Sequence, residues 1–278
     1  MRAKNIGGAR IIALAALLLG ATVFAWLGVI RSAEMMPMPE MEPLSLAAML
    51  TFTLEWGVMM TAMMLLSAAP MILLYGAASR RRRELGERMI PAEAFAGVYL
   101  VMWLLTGVPV YLAWVGVGNL AESSSTFAGA THYAIAATLF AAGIYQLSPA
   151  KLACLRQCEA PADFLMRRWR SGYSGSLRLA AAHAAYCIGC CWALMLLLVV
   201  GGAMSLPWVL AIALVVFAEK VLPGGERTAR ITGVILILAA LTVAVRPELA
   251  GALRSRSVAL VVPPAQHIVA DAKTQWTT

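Results

Sequence analysis

Seven stretches of about 20 predominantly apolar residues run through this chain, each long enough to cross the hydrocarbon core of a bilayer. They fall at roughly residues 11–30, 46–76, 94–118, 127–147, 178–202, 206–222 and 230–246, the second long and the sixth short. Hydrocarbon offers no hydrogen bonds, so the backbone of such a run must satisfy itself, and an α-helix does so segment by segment. The fold expected is all-α, a polytopic transmembrane helix bundle of about seven spans. Charged residues make up only 13% of the 278, against roughly 25% in soluble domains, which excludes an ordinary aqueous globule.

The basic residues orient the bundle. Counted loop by loop, 17 Lys and Arg fall on one side, in the clusters Arg2 to Arg10, Arg80 to Arg88, Lys151 to Arg178 and Lys220 to Arg230. Five fall on the other: Arg31, Arg246, Arg254, Arg256 and Lys273. Basic loops stay in the cytoplasm, so the N-terminus is expected inside and the C-terminus outside. The net charge of +8 is then a topology signal; the bilayer is the expected partner, and nucleic acid is not. The first run follows a basic start and has no small-x-small cleavage pattern, so it is expected to be a retained helix. The chain divides into an N-terminal helix with an outer loop (1–45), the bundle proper (46–246) and a mobile outer tail with Pro263-Pro264 (247–278).

All five cysteines lie within one 38-residue window, Cys154 to Cys191. In the fifth apolar run, His183 is followed by Cys187, Cys190 and Cys191, which at about 100° per residue stand roughly 40°, 20° and 80° from it around the helix. Imidazole and thiolate on one face suit Cu(I) and Zn(II), and such groups are costly in hydrocarbon unless bound or paired. Cys154 and Cys158, between the fourth and fifth runs, share a face at CxxxC spacing on what should be a cytoplasmic interfacial helix. Arg167, Arg168 and Arg170 interleave there with Phe164, Leu165 and Trp169, as in an interfacial anchor.

The second run carries Glu55, Met59 and Met63 on one side of a helix, a carboxylate and two thioethers that could face the fifth run and complete a mixed-ligand site. Core packing is the ordinary explanation of such methionines, and an interfacial position near the outer end would explain Glu55. The outer loop from Glu34 to Glu42, with Met35, Met36, Met38 and Met41, is either a Cu(I) landing site or a methionine-filled connection. Glu219-Lys220, closing the sixth run, reads as a structural charge couple, open to pairing with a loop arginine.

Taken together, the segment Trp56 to Met64 with its Ala62-Met63-Met64, the stretch Gly143 to Cys158, the stretch His183 to Trp192 with Leu194-Met195, and Glu219-Lys220 resemble a bacterial family described as predicted metal-binding integral membrane proteins. The resemblance covers roughly residues 50 to 240, and its cysteine-bearing stretches are the specific part. Ala184 and Leu65 stand where the family pattern has Gly and Pro, departures that touch helix packing more than ligands. It implies metal binding in a bacterial inner (cytoplasmic) membrane and fixes neither the metal nor a reaction.

Two functions remain. The first is a soft-metal carrier or membrane chaperone, binding copper(I), with zinc as the other ion, through His183, Cys187, Cys190, Cys191, Cys154, Cys158, Glu55, Met59 and Met63. A metallochaperone or a second membrane protein would be its exchange partner. The alternative is a thiol-disulfide oxidoreductase using the CxxC of Cys187 and Cys190. The extra His183 and Cys191 favour a ligand set, so binding is preferred to enzymatic work. No hydrolytic triad, P-loop, dinucleotide fingerprint or HExxH motif is present.

Overall fold

A computed structural model describes residues 2–35, 45–123, 131–200 and 206–246. The methionine-rich stretch from Met36 to Glu42 and the tail from residue 247 lie outside them.

Local signals set the helix boundaries. α1 (Arg2–Met35) and α2 (Leu46–Glu84) come first, and α2 starts where the Ser45 side chain accepts a hydrogen bond from the Ala48 N–H at 3.1 Å. α2 runs 39 residues, about 58 Å at 1.5 Å per residue, nearly twice the thickness of a hydrocarbon core. Pro70 does not end it. Arg81, Arg82 and Arg83 fill its last turn, where the helix dipole favours cations.

The third apolar run becomes two helices, α3 (Ala92–Leu105) and α4 (Gly107–Ser123), parted at Thr106. Pro109 has no N–H to give the Leu105 carbonyl and crowds it, which breaks the ladder there. Trp56 of α2 donates to the Thr106 hydroxyl at 2.9 Å and pins the break. α5 (Thr131–Leu147) ends at Ser148, whose side chain caps α6 (Pro149–Glu159) by accepting from the Lys151 N–H at 3.2 Å. After Ala160 comes the short α7 (Pro161–Arg168), then α8 (Tyr173–Val200), α9 (Leu206–Val221) and α10 (Gly225–Val245).

All these elements are helical, and no strand occurs among the described residues. Five helical stretches are long and apolar enough to cross a membrane: Gly8–Ser32, Leu46–Glu84, Ala92–Asn119, Tyr173–Val199 and Gly225–Val245. The other two expected spans, α5 with 17 residues and α9 with 16, are helices that fall short of that length within the described residues. Among the described residues, then, helix length and composition support five spans and leave the count of about seven unconfirmed.

The bundle has an inside and an outside. In α2 and α8, 56% of the most apolar window is buried, against 22% in α1, in α3 with α4, and in α10. α2 and α8 are therefore the inner helices, with α3 and α9 packed against them, α1 against α2, and α5 bridging α8 and α10. Outward positions are apolar too: Phe24, Leu54 and Leu238 are exposed. An outer surface of that kind is what lipid, not water, would cover.

α5 and α10 cross through glycine. A Cβ placed on Gly143 would lie 2.7 Å from Ile237 Cγ1 and 2.8 Å from the Gly233 carbonyl oxygen. Small residues at such a crossing let two backbones approach where apolar burial cannot drive association. The crossing sets Gln146 one turn further along, in a buried polar group. There Gln146 Nε2 donates to Glu219 Oε1 at 2.6 Å, and Lys151 Nζ donates to Glu219 Oε2 at 2.5 Å. Both charged side chains are essentially fully buried, so Lys151 is not the solvated loop cation that the basic-residue count assumed. Lys220 is buried as well, and two of the 17 thus leave the topology argument.

α7 shows the expected amphipathic division. Phe164 and Leu165 are buried, while the Arg168 guanidinium lies over the Phe164 and Tyr186 rings at 5.5 Å and 4.8 Å. The stem of such a residue packs on apolar surface while its head stays polar.

Candidate metal centre

α8 brings His183, Cys187, Cys190 and Cys191 into the interior, and each is buried. The face formed by their helical spacing does not close on a single point. Cys190 Sγ lies 4.0 Å from Cys158 Sγ of α6 and 3.1 Å from the Cys187 carbonyl oxygen. Cys191 Sγ lies 3.9 Å from Met64 Sδ of α2 and donates to the Cys187 carbonyl at 2.8 Å. Cys187 Sγ meets the Tyr99 hydroxyl at 3.0 Å and accepts from Lys220 Nζ at 2.9 Å. Among the described residues, no three His, Cys, Asp or Glu side chains are placed to hold one metal ion. The sulfurs form a chain of near neighbours across α6, α8 and α2.

Backbone geometry makes the chain possible. Gly189 lacks a Cβ, and one placed there would meet Cys154 Sγ at 3.0 Å, so the α6 thiol packs directly on the α8 backbone. Tyr145 of α5 donates to the Gly189 carbonyl at 2.5 Å and fixes the same point from another side. On α6, burial pushes the Cys154 thiol above its ordinary pKa range, with Cys190 adding to the shift. All five cysteines are free thiols.

His183 stands one turn from Cys187, enclosed by aromatic rings: Tyr99 stacks at 5.6 Å and Phe164 meets it edge-on at 5.8 Å between centroids. Neither ring nitrogen has a hydrogen-bond partner among the described residues. A buried polar group left this way costs about 1–3 kcal/mol, so an imidazole held there needs a further partner to account for it. Thiol, thioether and imidazole groups lining one buried region have the donor chemistry of a soft-cation path rather than of a hard-ion site.

Glu55 and Met59 are elsewhere. They line a cavity of about 200 Å³ with Gly28 and Val29 of α1 and Val209 of α9. Met63 is buried in the core. The methionine that reaches the sulfurs is Met64, nine residues after Glu55, hence about 180° round the helix and 13 Å along it. The carboxylate face and the sulfur face of α2 are opposite faces.

Sequence reasoning also missed Tyr99, Lys220 and Lys151. Glu219 and Lys220 are not a couple. Successive residues point about 100° apart, and Glu219 turns to Lys151 and Gln146 while Lys220 turns to Cys187, Cys191 and Met64. A charged pair closing an apolar run was the signal available for both.

Compared with known proteins, residues 53–243 match the model of the family PpoB2, described as a copper chaperone. The chain belongs to the PpoB2 copper chaperone family. The matched span takes in α2 from its second turn through nearly all of α10, and so every residue of the sulfur chain. It also coincides with the extent of the sequence resemblance to metal-binding membrane proteins, and the PpoB2 description specifies copper where that resemblance left the metal open. No curated protein and no solved structure matches the chain.

Proposed function

We propose that this protein is a membrane-embedded chaperone that takes Cu(I) as cargo and passes it along its sulfurs. Cys154 and Cys158 form the cytoplasmic end, Cys190 the link, and Cys187, Cys191 and Met64 the inner station, with His183 as the nitrogen donor beside it. The observation that carries this reading is the approach of Cys158 and Cys190, which come to 4.0 Å from two helices and 32 positions apart in sequence. Cargo moving between neighbouring sulfurs exchanges one soft ligand for the next and is never released into hydrocarbon. Glu55, Met59 and Met63 would belong to a second, outer group, and zinc is the competing ion.

The placement proposed with it is a bacterial inner membrane, with seven crossings once α5 and α9 are included, the N-terminus in the cytoplasm, and a donor metallochaperone or a second membrane protein for exchange. The three-part division into residues 1–45, 46–246 and 247–278 goes with that placement.

The test is Cu(I) binding by purified full-length protein under reducing conditions, read by competition with a chromogenic chelator. The Cys187→Ser/Cys190→Ser double variant should lose the bound ion. Unchanged copper stoichiometry and affinity in that variant would overturn the reading. A thiol-disulfide oxidoreductase is the second reading, and the same 4.0 Å approach favours Cys158 with Cys190 as its pair over Cys187 with Cys190. Alkylation trapping in growing cells separates the two, because a redox enzyme accumulates a Cys158–Cys190 disulfide and a carrier holds reduced thiols.

A further inference from the structure

Lys220 carries a buried ammonium that makes no ion pair with a carboxylate among the described residues. The partners in its reach are sulfur: Cys187 Sγ at 2.9 Å, and Cys191 Sγ and Met64 Sδ at 3.7 Å each. The neighbouring carboxylate, Glu219, is taken by Lys151 and Gln146. A positive charge is therefore held where a soft cation would meet its donors. In a low-dielectric interior a charge left without its opposite is strongly disfavoured, so the total charge of the loaded group decides which ion it accepts.

The group around the ammonium comprises Cys187, Cys191 and the neutral thioether of Met64. Metal binding takes these thiols as thiolates, and their protons leave to water. Their two negative charges are offset by the lysine and one monovalent ion, leaving the group neutral. A divalent ion would leave one positive charge buried. Cys190 stands outside this group, because its sulfur neighbour is Cys158 of α6 at 4.0 Å and the ammonium reaches Cys187 and Cys191 instead.

We propose that Lys220 is a specificity-determining residue, whose fixed ammonium restricts the Cys187, Cys191 and Met64 group to monovalent soft cations, Cu(I) and its analogue Ag(I), against Zn(II). The proposal rests on the chaperone reading, in that the sulfur group must bind a metal ion at all. Lys220 acts through charge and need not be a ligand.

The experiment compares full-length wild type with Lys220→Met, Lys220→Gln and Lys220→Arg in detergent under reducing conditions. Dissociation constants for Cu(I), Ag(I) and Zn(II) are read by chelator competition, and metal-free unfolding curves show which variants are folded. In the neutral variants the Cu(I) to Zn(II) preference should fall by on the order of tenfold or more, while Lys220→Arg keeps the wild-type preference. If Lys220→Met does not fold, Lys220→Gln carries the comparison. Wild type that binds Cu(I), with the same preference in a folded neutral variant, overturns the proposal and leaves the chaperone reading standing. So does a folded Lys220→Arg whose preference falls as far as the neutral variants'. Wild type that binds neither ion overturns the chaperone reading and this inference with it.

Discussion

Removing either partner of the Lys151 and Glu219 pair should destabilise the protein far more than removing both. The side chains are 0% and 1% exposed, and Nζ to Oε2 is 2.5 Å, so neither charge has water to fall back on. Exposed pairs contribute about 0–1 kcal/mol, but stripping one member from a buried pair costs about 3–5 kcal/mol because the other charge is left uncompensated. Lys151→Met removes the cation and keeps the length of the stem. Glu219→Gln removes the anion but leaves an acceptor for Gln146 Nε2, whose 2.6 Å bond would otherwise be orphaned at a further cost of about 1–3 kcal/mol. Each single variant should lose about 3–5 kcal/mol, and the double variant about 1 kcal/mol or less, a coupling of several kcal/mol. The assay is reversible unfolding in mixed detergent micelles, titrated with a denaturing detergent and followed by far-UV circular dichroism. Single variants losing under about 1 kcal/mol each, with additive effects, would refute the argument, since that is the behaviour of a solvated pair.

Three further outcomes are expected. Gly143→Ala should cost about 1–3 kcal/mol in the same assay by forcing α5 from α10, since the new methyl meets the Gly233 carbonyl at 2.8 Å; an unchanged midpoint would show that the crossing is not tight. His183→Phe should leave metal-free stability equal or raise it by about 1 kcal/mol, because it removes two unpartnered nitrogens, while weakening Cu(I) binding; lost stability with unaltered binding would make the histidine a packing residue. Hydrogen bonds from Ser171 and from Arg82 hold the Glu87 carboxyl below its ordinary range. Their contribution is complete above the ordinary glutamate pKa and is lost as pH falls through the depressed value. Amide protection around residues 86–91, corrected for the intrinsic pH dependence of exchange, should therefore fall only at pH below the usual carboxylate range, and a loss of protection already at pH 6 would contradict the tie.

Periodicity and run length carried most of the fold. Every apolar window is helical over its described residues, the third as two helices, because a long apolar run has to satisfy its own backbone. Pro109 was passed over as a helix breaker, and it splits the third window. The site was half legible. Helical spacing placed the thiols together on α8, but which α2 face meets them depends on helix rotation, and a shift of one position from Met63 to Met64 exchanges the sulfur that approaches Cys191. Lys151 and Lys220 were counted as solvated because, in sequence, a cation beside a helix end looks the same whether it snorkels outward or turns in. Tyr99 gave no warning, since in an apolar helix a tyrosine is usually core.

Glu219 and Lys220 are consecutive, yet they fasten α9 to different helices, Glu219 to α6 and Lys220 to α8 and α2. α9 is thus a lever with two latches side by side. A rotation that swings Lys220 clear of the sulfurs also drags Glu219 away from Lys151, so the cluster cannot be uncovered from this side without opening both at once. On the chaperone reading, release of an ion from the cluster on this side would then wait on a swing of α9. Release timed by stopped flow should be accelerated by Glu219→Gln, which weakens a latch that touches no sulfur. An unaltered release rate would mean that the cluster opens from another side.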